Sequence, residues 1–332
     1  MRLTVALLGL AAVTGVGVHS AGPASGVASH RLRIGLVTTN YGNDVFAQAA
    51  VEGLRRAEKA FGVQGDVRTP TPREGAAASL TEFAAQRYDL VVGTTLDALS
   101  LRRVARRFPA VRFALLDNTR RFAGQPPNVT GLVFQRHEAG YLAGYLAGLV
   151  ERRKRGPHVV SAVGGNPFPG VTSYIAGYRA GAERADPRVK VIYGYSHSFS
   201  APEACAAVAS KQIAQGSQVV FDVAGACGPG TLRTARAHRV WGLGVDFDQL
   251  ARWPHVLTSA IVRFDYGLFA AIRALKEHRF RAGVDMAFGL RQGAVGLGRI
   301  NPKVPRLLRT GVRRIARQVA TGKIDVPATL VG

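Results

Sequence analysis

The chain is poor in cysteine, in lysine and in acidic side chains, and beyond its first thirty residues it has no long apolar run. Two cysteines in 332 residues exclude a disulfide-dense scaffold and any cysteine-rich zinc module. Only seven of the 44 basic residues are Lys; with 21 acidic residues the formal charge is +23. There is no Gly-x-Ser-x-Gly elbow, no His-Glu-x-x-His pair, and the eight His are dispersed. The stretch Gly225 to Gly230 is glycine-rich but lacks the Gly-Lys-Ser/Thr ending of a P-loop. The sequence therefore points away from an enzyme and implies no cofactor and no metal.

The arginines fall in short clusters, Arg102-Arg103, Arg106-Arg107, Arg120-Arg121 and Arg152-Arg153-Lys154-Arg155. No aromatic residues interleave with them as a stacking platform for single strands would need. The plain reading is a solvated basic surface, with an anionic membrane surface as the partner such charge would favour. Residues 1–30 carry one charge, Arg2, then the apolar run Leu3 to Val18 and the small residues Ser20-Ala21-Gly22 and Ala24-Ser25-Gly26. That order is the charged start, apolar stretch and small-residue boundary of a secretory signal. The run is shorter than the ~20 residues of a comfortable membrane span. Cleavage, with Val18 and Ser20 suiting the −3 and −1 positions, and retention as an N-terminal anchor both remain open. No cysteine near the boundary offers a lipid-anchor site, and export argues against nucleic acid as a partner.

At 47% hydrophobic residues the rest can bury substantial cores, and its length suits roughly two domains of ~150 residues. From residue 31, β-rich runs alternate with amphipathic helical windows. Arg31 to Thr38, Leu90 to Gly93 and Val111 to Leu116 read as strands, with helices over Phe46 to Phe61 and Leu96 to Phe108. A second series follows Phe134. It has helix Glu138 to Val150, strand His158 to Val163, helix Val171 to Arg184 and strand Val189 to Tyr195. Helix Pro202 to Gln215, strand Gln218 to Val223, helix Gly230 to His238 and strand Trp241 to Val245 complete it. Such βαβ repetition predicts α/β architecture with doubly wound parallel sheets. The expected division is residues 31–134 with about 258–288 in one lobe and 135–257 with about 289–332 in the other.

Ligands of open α/β sheets sit beyond the carboxyl ends of the strands. Those positions hold Thr38 to Phe46, Asp117-Asn118, Ser196 to Phe199, Ala224 to Gly230 and Gly244 to Asp246. Aromatics there would stack on a flat ring, and carboxylates would accept hydrogen bonds from hydroxyls.

The stretches Gly35-Leu-Val-Thr38, Asp44-Val-Phe-Ala-Gln48 and Asn128-Val-Thr-Gly-Leu-Val-Phe134 resemble a known family. So do Glu138-Ala-Gly-Tyr-Leu-Ala-Gly-Tyr-Leu-Ala-Gly148, Val163-Gly-Gly165, Ala176-Gly-Tyr-Arg-Ala-Gly181, Val219-Val-Phe221, Gly244-Val-Asp-Phe-Asp-Gln249, Phe288-Gly-Leu290 and Gly322-Lys-Ile-Asp-Val-Pro327. In order and spacing they are similar to the basic membrane protein (PnrA-like) substrate-binding proteins of ABC importers. The resemblance spans residues 31–328. It implies a type I periplasmic-binding-protein fold, a monomer with two lobes joined by a hinge, a nucleoside, commonly a purine nucleoside, in the cleft, and a permease and ATPase as partners.

By position in that family, Phe46 and Phe199 are the opposing stacking aromatics. Asp117 is the carboxylate on the base, and Asp246, with the backbone of Gly244, holds the ribose. Asn43 and Asp44, in the loop before Phe46, complete the implied set. Four positions depart from the pattern: Thr39 stands for an Asp, Ala47 for an Asn, Val262 (beside Arg263) for a Lys, and Gly225-Ala-Cys-Gly228 for Gly-Gly-Thr-Gly. Each lost hydrogen bond to a charged group costs about 1.5–3 kcal/mol, enough to retune ligand preference.

Plainer roles stand beside these. By pattern alone Phe46 also reads as a core residue, Asp246 as a helix cap, and Asp117 as a turn cap. Tyr174 and His197 read as packing or surface residues. Cys205 and Cys227 lie at the carboxyl edge of the second sheet, where a disulfide bracing the cleft loop and two buried thiols are the alternatives. A membrane-tethered ligand sensor on the same fold, and adhesion through a basic face including Arg306, Arg309, Arg313, Arg314 and Arg317, are the competing functional readings.

Overall fold

The computed structural model describes residues 31–38, 45–71, 74–94 and 98–330. The signal or anchor assigned to 1–30 lies outside them, as do Asn43, Asp44 and Thr39.

The first sheet is built from β1 (Arg33–Val37), β2 (Gln64–Arg68), β3 (Leu90–Thr94), β4 (Phe113–Leu116), β5 (Val129–Phe134) and β11 (Met286–Phe288). Its strand order is β11-β5-β4-β3-β1-β2, and every pairing is parallel. The second sheet holds β6 (Val159–Gly164), β7 (Lys190–Tyr195), β8 (Val219–Val223), β9 (Trp241–Asp246), β10 (Val256–Val262) and β12 (Val295–Leu297), in the order β12-β10-β9-β8-β6-β7. The strands β3, β4, β6 and β8 are buried along their whole length, as expected where helices cover both faces of a parallel sheet.

On the first sheet, α1 (Val45–Phe61) packs with α8 (Phe264–Lys276), and α2 (Ala76–Ala85) packs with α3 (Ala98–Arg107). On the second, α4 (Arg136–Glu151) packs with α5 (Pro169–Ala185) and α9 (Arg306–Ala320), while α6 (Pro202–Ala214) packs with α7 (Gly228–Ala237). Two doubly wound α/β lobes result. The α4–α5 pair packs backbone to backbone: a Cβ on Gly144 would lie 1.9 Å from the carbonyl oxygen of Tyr178. This close approach fixes where the N-terminal halves of the two helices, carrying Arg136 and Tyr174, meet the space between the lobes.

The sheets are not uniformly parallel, however: β12 runs antiparallel to β10. The cause is connectivity. A parallel neighbour needs a long crossover, whereas the chain leaves β11 in the first sheet and enters β12 of the second only a few residues later. It arrives where β10 ends, pairing Val295 with Val262, and must run back down that strand.

The chain passes between sheets after Phe134, after Val262 and after Phe288, and these crossings lie side by side. Gln135 N–H donates to the Phe288 carbonyl and Arg263 N–H to the Ala294 carbonyl, each at 2.8 Å. Because β10 belongs wholly to the second sheet and α8 packs on the first, the middle crossing falls at Arg263.

Candidate functional site

A cleft of about 1040 Å³ opens along the carboxyl ends of both sheets. The first lobe supplies Phe46 from the first turn of α1, Asp117 after β4, and Phe264 from the start of α8. The second supplies Tyr174, Phe199, Asp222 at the end of β8, and Asp246 at the end of β9. Arg136, first residue of α4, lines the cleft beside the crossings.

Phe46 is half-buried and meets Phe264 edge-on, with ring centroids 4.6 Å apart. It is thus both a packing residue and a wall of the cleft. Phe199 is 43% exposed, its ring open to the cleft that it lines. Its backbone is held: the Phe199 carbonyl accepts the N–H of Cys227 at 3.0 Å. Cys227 in turn is bonded in a disulfide to Cys205, in the first turn of α6, so the start of that helix is tied to the 3-10 turn after β8.

Among the described residues three carboxylates face the cleft, and each behaves differently. Asp117 sits in the left-handed region (φ 78°) and pairs with the Arg136 guanidinium, so it caps no turn. Burial raises its pKa, reinforced by Asp246 and opposed by Arg136. Asp246, at φ 65°, accepts the Tyr174 hydroxyl at 3.2 Å. No helix follows it before β10, so it is not a helix cap either. Burial lifts its pKa, while Arg136 and Tyr174 pull it back. Asp222 is 1% exposed and has no basic partner among the described residues. One of its oxygens accepts the Ala224 N–H at 3.1 Å. Burial pushes it up to about 8. Its carboxylate fills the space a side chain would need at Gly228, where a Cβ would lie 1.9 Å from Oδ2.

Arg136 is 13% exposed in its side chain. Burial works against its charge, but Asp117, Tyr174 and Asp246 hold its pKa above the ordinary value. The guanidinium lies 5.9 Å from the Tyr174 ring centre and 5.8 Å from that of Phe264.

Of the residues read from the sequence, Phe46, Asp117, Phe199 and Asp246 come together here. Gly244 does not: it is buried inside β9 against Ser259 and Gln249, so its backbone is turned to the sheet. Tyr174 does pack, being 2% exposed, yet its hydroxyl reaches the site. His197 is on the surface. Sequence reasoning missed Arg136, Asp222 and Phe264. Two signals were available: an Asp inside the otherwise apolar run Val219-Val-Phe-Asp-Val223, and an Arg at a helix start, where the helix dipole disfavours a cation.

No group of His, Cys, Asp and Glu among the described residues could hold a metal ion, and no helix among them is long and apolar enough to cross a membrane. Residues 35–327 match the family described as ABC transporter substrate-binding protein PnrA-like. The ABC transporter nucleoside-binding protein BmpA of Lactococcus lactis is 28% identical, covering 98% of this chain and 97% of its own. Among solved structures, an ABC transporter solute-binding protein from Conexibacter woesei superposes with a TM-score of 0.70 at 25% identity, over 90% of this chain and 99% of that one. A solute-binding protein from Aeropyrum pernix gives 0.73 at 22% identity, over 90% and 94%.

Proposed function

The chain belongs to the PnrA-like family of ABC transporter substrate-binding proteins, and we propose that it captures a nucleoside-like molecule in the inter-lobe cleft outside the cytoplasm. The observation that carries the reading is that Phe46 from one lobe and Phe199 from the other line a single cleft together with the carboxylates of Asp117 and Asp246. A flat ring would stack between the two aromatics, and Asp246, oriented by Tyr174, would accept hydrogen bonds from sugar hydroxyls. Lobe closure would bury the ligand and create the form that a permease and its ATPase recognise. The relative from Lactococcus lactis is named for nucleoside binding, which supports the same ligand class here.

The segment 1–30 would direct export. The last helix, α9, would then favour an anionic membrane surface: it buries Leu308, Val312, Ile315 and Val319 and leaves Arg306, Arg313, Arg314 and Arg317 exposed. No catalytic step is part of this reading.

Thermal unfolding of the full chain against nucleosides, free bases and simple sugars tests it. A nucleoside at a hundred times its dissociation constant stabilises by about 2.7 kcal/mol. That gain disappears in Phe46→Ala and in Asp246→Ala. A response to sugars alone, or one untouched by both substitutions, would sink the proposal.

A further inference from the structure

Asp117 is not a free acceptor. One oxygen already takes the Arg136 Nη2–H, and the pair is largely screened from water, with 13% and 19% of the two side chains exposed. The remaining N–H groups of Arg136 have no hydrogen-bond partner among the described residues. A guanidinium carries five donors in a planar fork and no acceptor. On the base side, therefore, the cleft presents a donor fork backed by a carboxylate, rather than a bare carboxylate.

The charge around that fork limits what it can hold. Arg136 is the cation beside the carboxylates of Asp117 and Asp246, with Arg252 also lining the cleft. An anionic ligand would have to displace or oppose these carboxylates. A cationic one would meet the guanidinium. A neutral molecule fits if its acceptors face Arg136 and its donors face Asp246. Nucleobase edges differ in this respect. Adenine places an amino donor beside its ring acceptor, so one arm of the fork would face a like donor. A 6-oxopurine places O6 next to N7, two adjacent acceptors that match a guanidinium bidentately.

Resting on the nucleoside reading above, we infer that Arg136 is a specificity-determining residue that makes the cleft select 6-oxopurine nucleosides over adenosine. Asp117 acts through it, as a positioning residue that holds the fork in the cleft. The α4–α5 packing at Gly144 and the ring faces of Tyr174 and Phe264 keep it there.

Isothermal titration of the full chain with inosine, guanosine and adenosine tests the inference. Inosine and guanosine bind about tenfold tighter than adenosine, or more, which is about 1.4 kcal/mol. Arg136→Lys keeps a cation against Asp117 but loses the fork. It weakens inosine, leaves adenosine nearly unchanged and brings the ratio towards one. Asp117→Asn, which leaves an acceptor for Arg136, is the second variant; it retains the preference for inosine, whereas a base read by Asp117 itself would lose it. Wild type binding adenosine as tightly as inosine, or Arg136→Lys keeping the full ratio, overturns the inference and leaves the nucleoside reading standing. Silence with every nucleoside overturns both.

Discussion

Both sheets run their strands in the same order, yet the loops at their cleft edges are secured by different chemistry. In the second lobe a covalent bond between Cys205 and Cys227 ties the start of α6 to the turn after β8, whose Cys227 N–H holds the Phe199 carbonyl. In the first lobe the loop after β4 is held by one exposed carboxylate. Asp285 accepts the Arg120 N–H at 2.8 Å and the Gly131 N–H at 3.0 Å, anchoring the short 3-10 turn Arg120–Ala123 beside Asp117. The carboxylates differ likewise. Asp117 has a cation in contact, whereas Asp222 has none and holds its proton instead. The difference shows that one fold can position its cleft loops by a covalent staple or by solvent-exposed hydrogen bonds, with quite different sensitivity to conditions.

The largest effect separating the lobes should come from the staple. The cysteines are 22 residues apart; closing a loop of that length stabilises by about 3 kcal/mol in the chain-entropy account. Cys205→Ser with Cys227→Ser should lose that amount in urea unfolding and should weaken ligand binding through Phe199. Unchanged stability and unchanged affinity together would mean that the hydrogen bond from Cys227 to Phe199 suffices.

The next effect is a pH slope. With its pKa raised to about 8, native Asp222 keeps a proton that the unfolded chain releases in the ordinary carboxylate range. The native state therefore binds more protons across that window, and stability falls as pH rises through it. The slope reaches about 1.4 kcal/mol per pH unit and levels off above about pH 8. Asp222→Asn keeps an acceptor for the Ala224 N–H and has no proton to lose. In melting curves at pH 5, 6.5 and 8 it should gain on the wild type steadily with pH. Parallel curves would show that Asp222 ionises normally.

Much of this architecture was legible in the sequence, because strand and helix periods alternate strongly once the apolar run ends. Helix bounds such as Pro202–Ala214 and Val45–Phe61 fall within a residue or so of expectation. What escaped was set by tertiary context. The edge strand β2, Gln-Gly-Asp-Val-Arg, is half-exposed and polar, so it has no strand signature. The direction of β12 depends on where the chain re-enters a sheet. In the site, the aromatics Phe46 and Phe199 and two of the carboxylates could be found near strand ends. Arg136 was marked only by its place at a helix start, and its pairing was hidden because its partner is 19 residues away; so was the role of Tyr174, whose Asp246 is 72 away. Charged residues look like surface until the fold shows what they face.

The smallest effect sharpens the contrast between the two loops. Asp285→Ala removes two N–H···O bonds from the first-lobe loop, but the residue is exposed and water replaces much of what is lost. The cost should be about 1 kcal/mol. Amide exchange should rise at Arg120 and Gly131, with the Phe199 loop unaffected. The ordering is the point of the measurement: a loss for Asp285→Ala equal to that of the double cysteine variant would mean that the first lobe depends on its carboxylate as much as the second depends on its disulfide.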